Sequence, residues 1–153
     1  METIRRIAAA DASTVAALWD RMCRETPDGG PLTPAGIRNI ELMLAACAWH
    51  HEAFCLVAEE NGGIVGFVCG RVDPGAGLLP SLAGEVEELY AVPETRGRGV
   101  GARLADAAVA WLRARDVWTV RTRVCIYNAE ARAFWQGRGF EADMVTLSQY
   151  RAA

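Results

Sequence analysis

Two short runs concentrate the residues of this chain that could do chemistry. Arg96-Gly97-Arg98-Gly99-Val100-Gly101 interleaves glycines with two arginines, and Glu85, Glu87 and Glu88 crowd the stretch just upstream. Glycines let a backbone take left-handed angles and approach a ligand closely. Amides at the start of a helix, at the positive end of its dipole, bind anions. Arg96 and Arg98 add charge and forked donors suited to phosphate oxygens. The run therefore reads as a pyrophosphate cradle made by the backbone of Gly97, Arg98, Gly99, Val100, Gly101 and Ala102. The carboxylates are candidates for taking the proton of an amine and for attracting its positive charge.

Such groups need a strand before them and a helix after them, and the sequence supplies both. Glu85 to Pro93 reads as a strand stopped by proline, and Val100, Leu104, Ala107, Ala108 and Trp111 recur at helical spacing. Upstream, Thr3–Ile7 reads as a first strand. Asp11 and Ser13 cap a helix with Val15, Leu18, Trp19 and Met22 inward. Thr26 to Pro31 breaks it. A second helix starts at Thr33-Pro34, buries Ile37, Ile40, Leu44 and Cys47, and is closed by His50 and His51. Phe54–Glu59 and Ile64–Val72 form a hairpin across Asn61-Gly62-Gly63, with Gly66 and Gly70 weakening one face. The Gly- and Pro-rich loop from Asp73 to Pro80 is expected at a substrate entrance. Downstream, Val117–Ile126 alternates as a strand. Asn128 caps a helix with Ala131 and Phe134 or Trp135 inward, ended by Gly137 and Gly139, and Phe140–Tyr150 supplies one or two last strands.

The 153 residues suit one domain with one substantial core. At 52% hydrophobic and 23% charged, the chain is too apolar for disorder. Its net charge of −3 gives no general pull toward nucleic acid or anionic membrane. Without a signal-like start or a membrane-length apolar run, a soluble cytoplasmic protein is expected. The five cysteines are scattered and form no CxxC pair, which fits small buried thiols in a reducing compartment rather than a zinc site or disulfide framework. His50 and His51 are adjacent, so a helix would not bring them to one face, and no metal site is expected.

Together these features resemble the GCN5-related N-acetyltransferase superfamily, which moves acetyl groups from acetyl-coenzyme A to amines. Arg96, Gly99 and Gly101 match its pyrophosphate signature, and Leu89-Tyr90-Ala91-Val92-Pro93 looks like its Leu-x-Val-x-Pro strand. Asn128, Ala131, Phe134-Trp135 and Gly139-Phe140 resemble its later Asn-x-x-Ala-x-x-Phe-Tyr block ending in Gly-Phe. The order of elements matches over nearly the whole chain. The resemblance implies a mixed α/β domain with a mostly antiparallel, splayed sheet of about six or seven strands and about four helices. It also implies that the backbone of Leu89, Tyr90 and Ala91 pairs with the pantetheine arm of the cofactor, as an added strand would. Asn128 would stand near the far end of that arm.

By the same resemblance, Glu85 falls where histone-type members carry their base and Glu88 where some aminoglycoside-type members carry an acid. Glu88 is favoured narrowly, as the closer of the two to the thioester end. The family's usual acid is a tyrosine where this chain has Trp135, whose indole N–H can donate a hydrogen bond but not a proton at useful pKa. Tyr127 and Tyr90 are the phenols left for that role. Arg123 replaces a glutamate common in members that act on protein N-termini, which favours a small-molecule amine. Cys125, though expected on a strand near the site, has no neighbour to activate it, so direct attack in a ternary complex is expected. Two copies could pair through the last strands. The readings left open are a catalytically silent acyl-CoA sensor and a protein or peptide N-acetyltransferase. A P-loop or dinucleotide site is disfavoured, because the Lys-Ser/Thr pair and the ribose-binding acid are missing.

Overall fold

Asn61 and Gly62 both take positive φ, 53° and 79°, and reverse the chain between strands Ala53–Glu60 (β2) and Gly63–Asp73 (β3). Two successive left-handed residues make the turn whose twist matches paired strands. The computed structural model describes residues 2–73 and 82–153. The chain divides into two compact units, Met1–Arg123 and Val124–Ala153. The entrance expected from Asp73 to Pro80 lies, beyond Asp73, outside the described residues.

In the first unit, Glu2–Arg6 (β1) pairs antiparallel with β2, and Leu82–Ala91 (β4) pairs antiparallel with β3. Val117–Thr122 (β5) joins β4 in parallel, completing a five-stranded sheet in chain order. Ala12–Glu25 (α1) and Pro34–Ala46 (α2) pack their apolar stripes on one face. Val15, Ala16 and Leu44 meet Cys55, Val57, Phe67, Cys69 and Tyr90 there. Leu18, Trp19, Met22, Ile37 and Ile40 fill in around them as partly buried neighbours. Val100–Arg113 (α3) covers the other face with Val100, Leu104, Ala105, Ala108 and Leu112. The glycines in the strands make room for that layer: a Cβ on Gly66 would stand 3.1 Å from Leu104, and one on Gly84 2.7 Å from Leu112. Each fully buried leucine contributes about 1.5–3 kcal/mol of apolar burial.

Helix starts follow the caps read from sequence, with one exception. Thr33 accepts from the Gly36 amide at 3.0 Å, with Pro34 in the first turn of α2. Asp11 stands before α1 but does not cap it. Its carboxylate instead accepts from the Ala8 amide at 2.8 Å and from Arg5 at 2.7 Å, and Arg5 also bonds Glu59. α2 ends at Ala46, so His50 and His51 lie beyond it, where His50 Nδ1 accepts from the Glu52 amide.

The second unit is built on Ala129–Gly137 (α4). Asn128 caps it, its side-chain oxygen accepting from the Ala131 amide at 3.0 Å. At the other end, the Gly139 amide donates to Gln136 O and the Phe140 amide to Trp135 O, both at 3.1 Å, with Gly139 at φ 90°. This is the Schellman closure, and its usual apolar contact is present as Trp135 edge-on to Phe140, ring centres 4.9 Å apart.

Two strand expectations are corrected. Residues 140–153 form no helix or strand, so the described sheet has five strands rather than six or seven. Val145 and Leu147 alternate with Thr146 and Ser148 as a strand would, but both are exposed, so no packed face holds the run as one. β5 stops at Thr122 rather than Ile126, and Cys125 is therefore exposed and off the strand. The cause lies in β4: Gly70 pairs with Val86 and Cys69 with Glu88, leaving Glu87 as the extra residue of a β-bulge. The bulge bends β4 just where its ladder with β5 ends.

Candidate active site

β4 has two kinds of edge. Its ladder with β5 ends at the Val86–Thr122 pair, while its pairing with β3 continues to Ala91 opposite Gly66. From Glu87 to Ala91, including Leu89, Tyr90 and Ala91, β5 supplies no partner to the backbone groups on that side. Alternate residues of a strand turn their N–H and C=O to the same edge, so this stretch can hydrogen-bond an extended amide chain.

The free edge leads into the glycine turn. Pro93–Thr95 makes one tight helical turn, closed by the Thr95 amide and hydroxyl on Val92 O, both at 2.9 Å. Gly97 and Gly99 follow at φ 82° and 80°, angles that an L side chain rarely adopts. The first backbone bond of α3 runs from the Arg103 amide to Gly99 O. Among the described residues, the amides of Gly97, Arg98, Gly99, Val100, Gly101 and Ala102 meet no hydrogen-bond acceptor. Six donors at a helix start are available to an anion.

The arginines around it are already engaged. Arg96 donates Nε to Ala91 O and Nη2 to Glu25, both at 3.0 Å, and lies over the Tyr90 ring at 5.5 Å. Arg98 forks onto Glu60 with two bonds of 3.1 Å. Arg103 pairs with Glu2 through Nε and Nη2, and Nη2 also donates to Arg98 O at 2.9 Å. Glu2, Glu60, Arg98 and Arg103 line an open depression of about 420 Å³.

The three glutamates of β4 are unlike one another. Glu85 accepts from Arg123 at 2.9 Å and lies 3.5 Å from Arg71, and Glu87 takes Arg71 at 2.7 Å. Glu88 has no ion pair among the described residues. It is half-buried, opposite Cys69, so it looks toward the α1 and α2 face. Burial, with the negative charge of Glu87 second, pushes its carboxyl above the usual range. Tyr90 sits deeper, 5% exposed, and burial followed by the Glu25 carboxylate pushes its phenol up to about 12.

Tyr127 and Asn128 belong to the second unit. Tyr127 is 92% exposed, and Asn128 spends its side-chain oxygen on the α4 cap. Trp135 is buried between Phe134 and Phe140. Among the described residues no group of His, Cys, Asp or Glu could hold a metal ion, and no helix is long and apolar enough to cross a membrane. Cys47, Cys55 and Cys69 are buried free thiols. Sequence reasoning missed Arg71, Glu25 and Glu60, whose partners lie 14 to 71 positions away in the chain.

Comparison with known proteins agrees with this geometry. An uncharacterised N-acetyltransferase of Bacillus subtilis is 26% identical over 150 residues, covering 92% of this chain and 90% of its own. A mycothiol acetyltransferase of Cellulomonas flavigena is 32% identical over 125 residues, 79% of this chain but 35% of that longer protein. An aminoglycoside N-acetyltransferase solved in complex with CoA shares the fold, with a TM-score of 0.79 at 17% identity, over 99% of this chain and 96% of its own. The family described as Acetyltransferase (GNAT) matches residues 17–140, and the chain belongs to that family.

Proposed function

We propose that this protein is an acetyl-CoA-dependent N-acetyltransferase acting on a primary amine of a small molecule. One observation carries the reading: among the described residues, a strand edge that β5 leaves open from Glu87 to Ala91, with Arg96 on the Ala91 carbonyl, leads through the Pro93–Thr95 turn to six unpaired amides from Gly97 to Ala102. Few ligands need an extended amide-binding edge joined to a phosphate cradle, and coenzyme A has both parts. Leu89, Tyr90 and Ala91 offer backbone groups to the pantetheine amides, and the turn offers its amides, with Arg98 beside them, to the pyrophosphate. Asn128 is assigned to the cofactor by family resemblance. Bound acetyl-CoA would supply the acetyl group as a thioester.

Glu88 is the proposed general base. It is the β4 glutamate without an ion pair among the described residues, and its raised pKa makes it a stronger base than an ordinary carboxylate. Glu85 and Glu87 are tied to Arg71 and Arg123, which leaves Glu88 as the carboxylate of the strand open to a cationic acceptor. Glu88 would take the ammonium proton before attack, so that the neutral amine could displace the thiolate from the acetyl donor, and the second nitrogen proton, freed as the amide forms, would end on the departing sulfur. The departing thiolate needs no strong acid, since a thiol pKa is about 8.5. Tyr127 is the exposed phenol that could protonate it, whereas Tyr90 is too deeply held.

A second reading, a silent acyl-CoA sensor, draws support from Trp135, which serves the α4 closure in place of a phenol. Thiol release from acetyl-CoA in the presence of polyamines, aminoglycosides, amino acids, amino-acid analogues and short peptides separates the two. Amine-dependent release is expected, strongest with a small amine. Release only with peptides would replace the small-molecule assignment, and binding of acetyl-CoA with no release would favour the sensor.

A further inference from the structure

The Tyr90 hydroxyl is the one buried side-chain polar atom among the described residues that has no hydrogen-bond partner. An orphan donor at this depth is costly, and native structures seldom keep one without a reason. Its surroundings suggest the reason. Glu25, the last residue of α1, acts on the phenol as a marginal hydrogen-bond acceptor and as a charge, without reaching full hydrogen-bond geometry. Its carboxylate is held instead by Arg96 at 3.0 Å, with Arg21 at 3.9 Å on the other oxygen. Arg21 is itself drawn to Glu94 at 2.8 Å. Arg96 in turn lies over the Tyr90 ring and on the Ala91 carbonyl, at the mouth of the glycine turn.

One carboxylate therefore has two candidate partners, a guanidinium that an anion in the turn would attract and a buried hydroxyl that it meets only marginally. We propose that Glu25, Arg96 and Tyr90 form a two-position latch, in which a phosphate group in the turn draws Arg96 away and Glu25 closes onto the Tyr90 hydroxyl. Glu25 and Tyr90 are then positioning residues for the cradle. Because Glu25 ends α1, the exchange carries the state of the cofactor turn to the segment Thr26–Leu32, which leads into α2. The inference rests on the cofactor reading above.

Two features make the exchange balanced. The Glu25–Arg96 pair is about half exposed on its arginine side, so it is weak and open to competition. Phosphate is a better partner for a guanidinium than a single carboxylate, since it carries more charge and offers forked acceptors. The hydrogen bond lost from Glu25 is then regained at a buried donor.

The test uses the whole protein, CoA as the probe, and tyrosine labelled with 13C at the ring carbon bearing the hydroxyl. The chain has three tyrosines, and Tyr127 and Tyr150 are 92% and 87% exposed, so the Tyr90 signal is set apart and is assigned by Tyr90→Phe. Saturating CoA should shift the Tyr90 resonance in the wild type. Arg96→Met should bring it near that position without CoA. Glu25→Ala should abolish the shift while CoA binds about two- to five-fold more tightly, the competitor being gone. CoA binding by calorimetry with a static Tyr90 signal would overturn the latch and leave the cofactor reading standing. Failure of the wild type to bind CoA at all would overturn both.

Discussion

Glu88→Gln should lower kcat/KM for acetyl transfer by about 10²–10³-fold, within the range of a lost general base, while the folded protein stays at least as stable at pH 7. The two effects share one cause. Burial makes the ionised form of Glu88 costly, with Glu87 adding repulsion, so the folded state raises its pKa above the usual 4.5. A raised carboxyl pKa means that the folded chain holds its proton more tightly than the unfolded chain does. The stability this gives is fully present below the unfolded pKa and is lost as pH rises through the folded one. Above its raised pKa the wild type therefore carries an unrewarded buried charge that glutamine removes. Thermal melts of both proteins at acid and neutral pH should show the variant gaining on the wild type as pH rises. The acid limb of the wild-type rate profile should lie above the ordinary carboxylate range, and the variant should lack it. A variant with undiminished turnover would remove Glu88 from the mechanism, and Glu85→Gln would become the decisive comparison.

Gly70→Ala should destabilise the protein by about 3 kcal/mol or more, lowering Tm by roughly 6–12 °C for a chain of this size. A Cβ on Gly70 would stand 2.1 Å from the Glu85 carbonyl and 2.8 Å from the Phe54 ring, and neither can move freely. The carbonyl belongs to β4 beside the bulge, and Phe54 is fully buried against Trp111, ring centres 4.7 Å apart. Relief requires β4 to shift at the residues that aim Glu88. Turnover measured well below the variant's Tm should therefore fall as well. An alanine variant that melts with the wild type would show that the bulge is not held by this contact.

The elements that depend on local chemistry were legible in the sequence. Asn61-Gly62 announces its turn, Thr33-Pro34 and Asn128 their helix starts, and Gly139 the end of α4, because each acts through its own φ or a hydrogen bond a few residues away. The glycine turn was legible for the same reason. The bulge at Glu87 was not, since three acidic residues nearly in a row look alike until a partner strand assigns them to faces. Nor was the division of labour among them, which depends on Arg71 from β3 and Arg123 beyond β5. Asp11 was misread as a cap because Arg5 and the Ala8 amide, neither in the helix, claim its carboxylate. Trp135 looked like a lost acid, and in place it is the inner half of a helix-end contact with Phe140.

The sheet's strands stand in the order in which they occur in the chain, so no strand has to be inserted between two already paired. Assembly can proceed by accretion. The β2–β3 hairpin closes across Asn61-Gly62 with almost no loop to order, and β4 adds to its open side. The costly closures come last: β1, which must wait for both α1 and α2, and parallel β5, which must wait for α3. The part of β4 that carries Glu88 is thus laid down early, and the outer strands late. In a refolding experiment with pulsed hydrogen exchange, amides of β2 and β3 should be protected before those of β1 and β5. Simultaneous protection of all five strands would mean that the sheet forms in one concerted step.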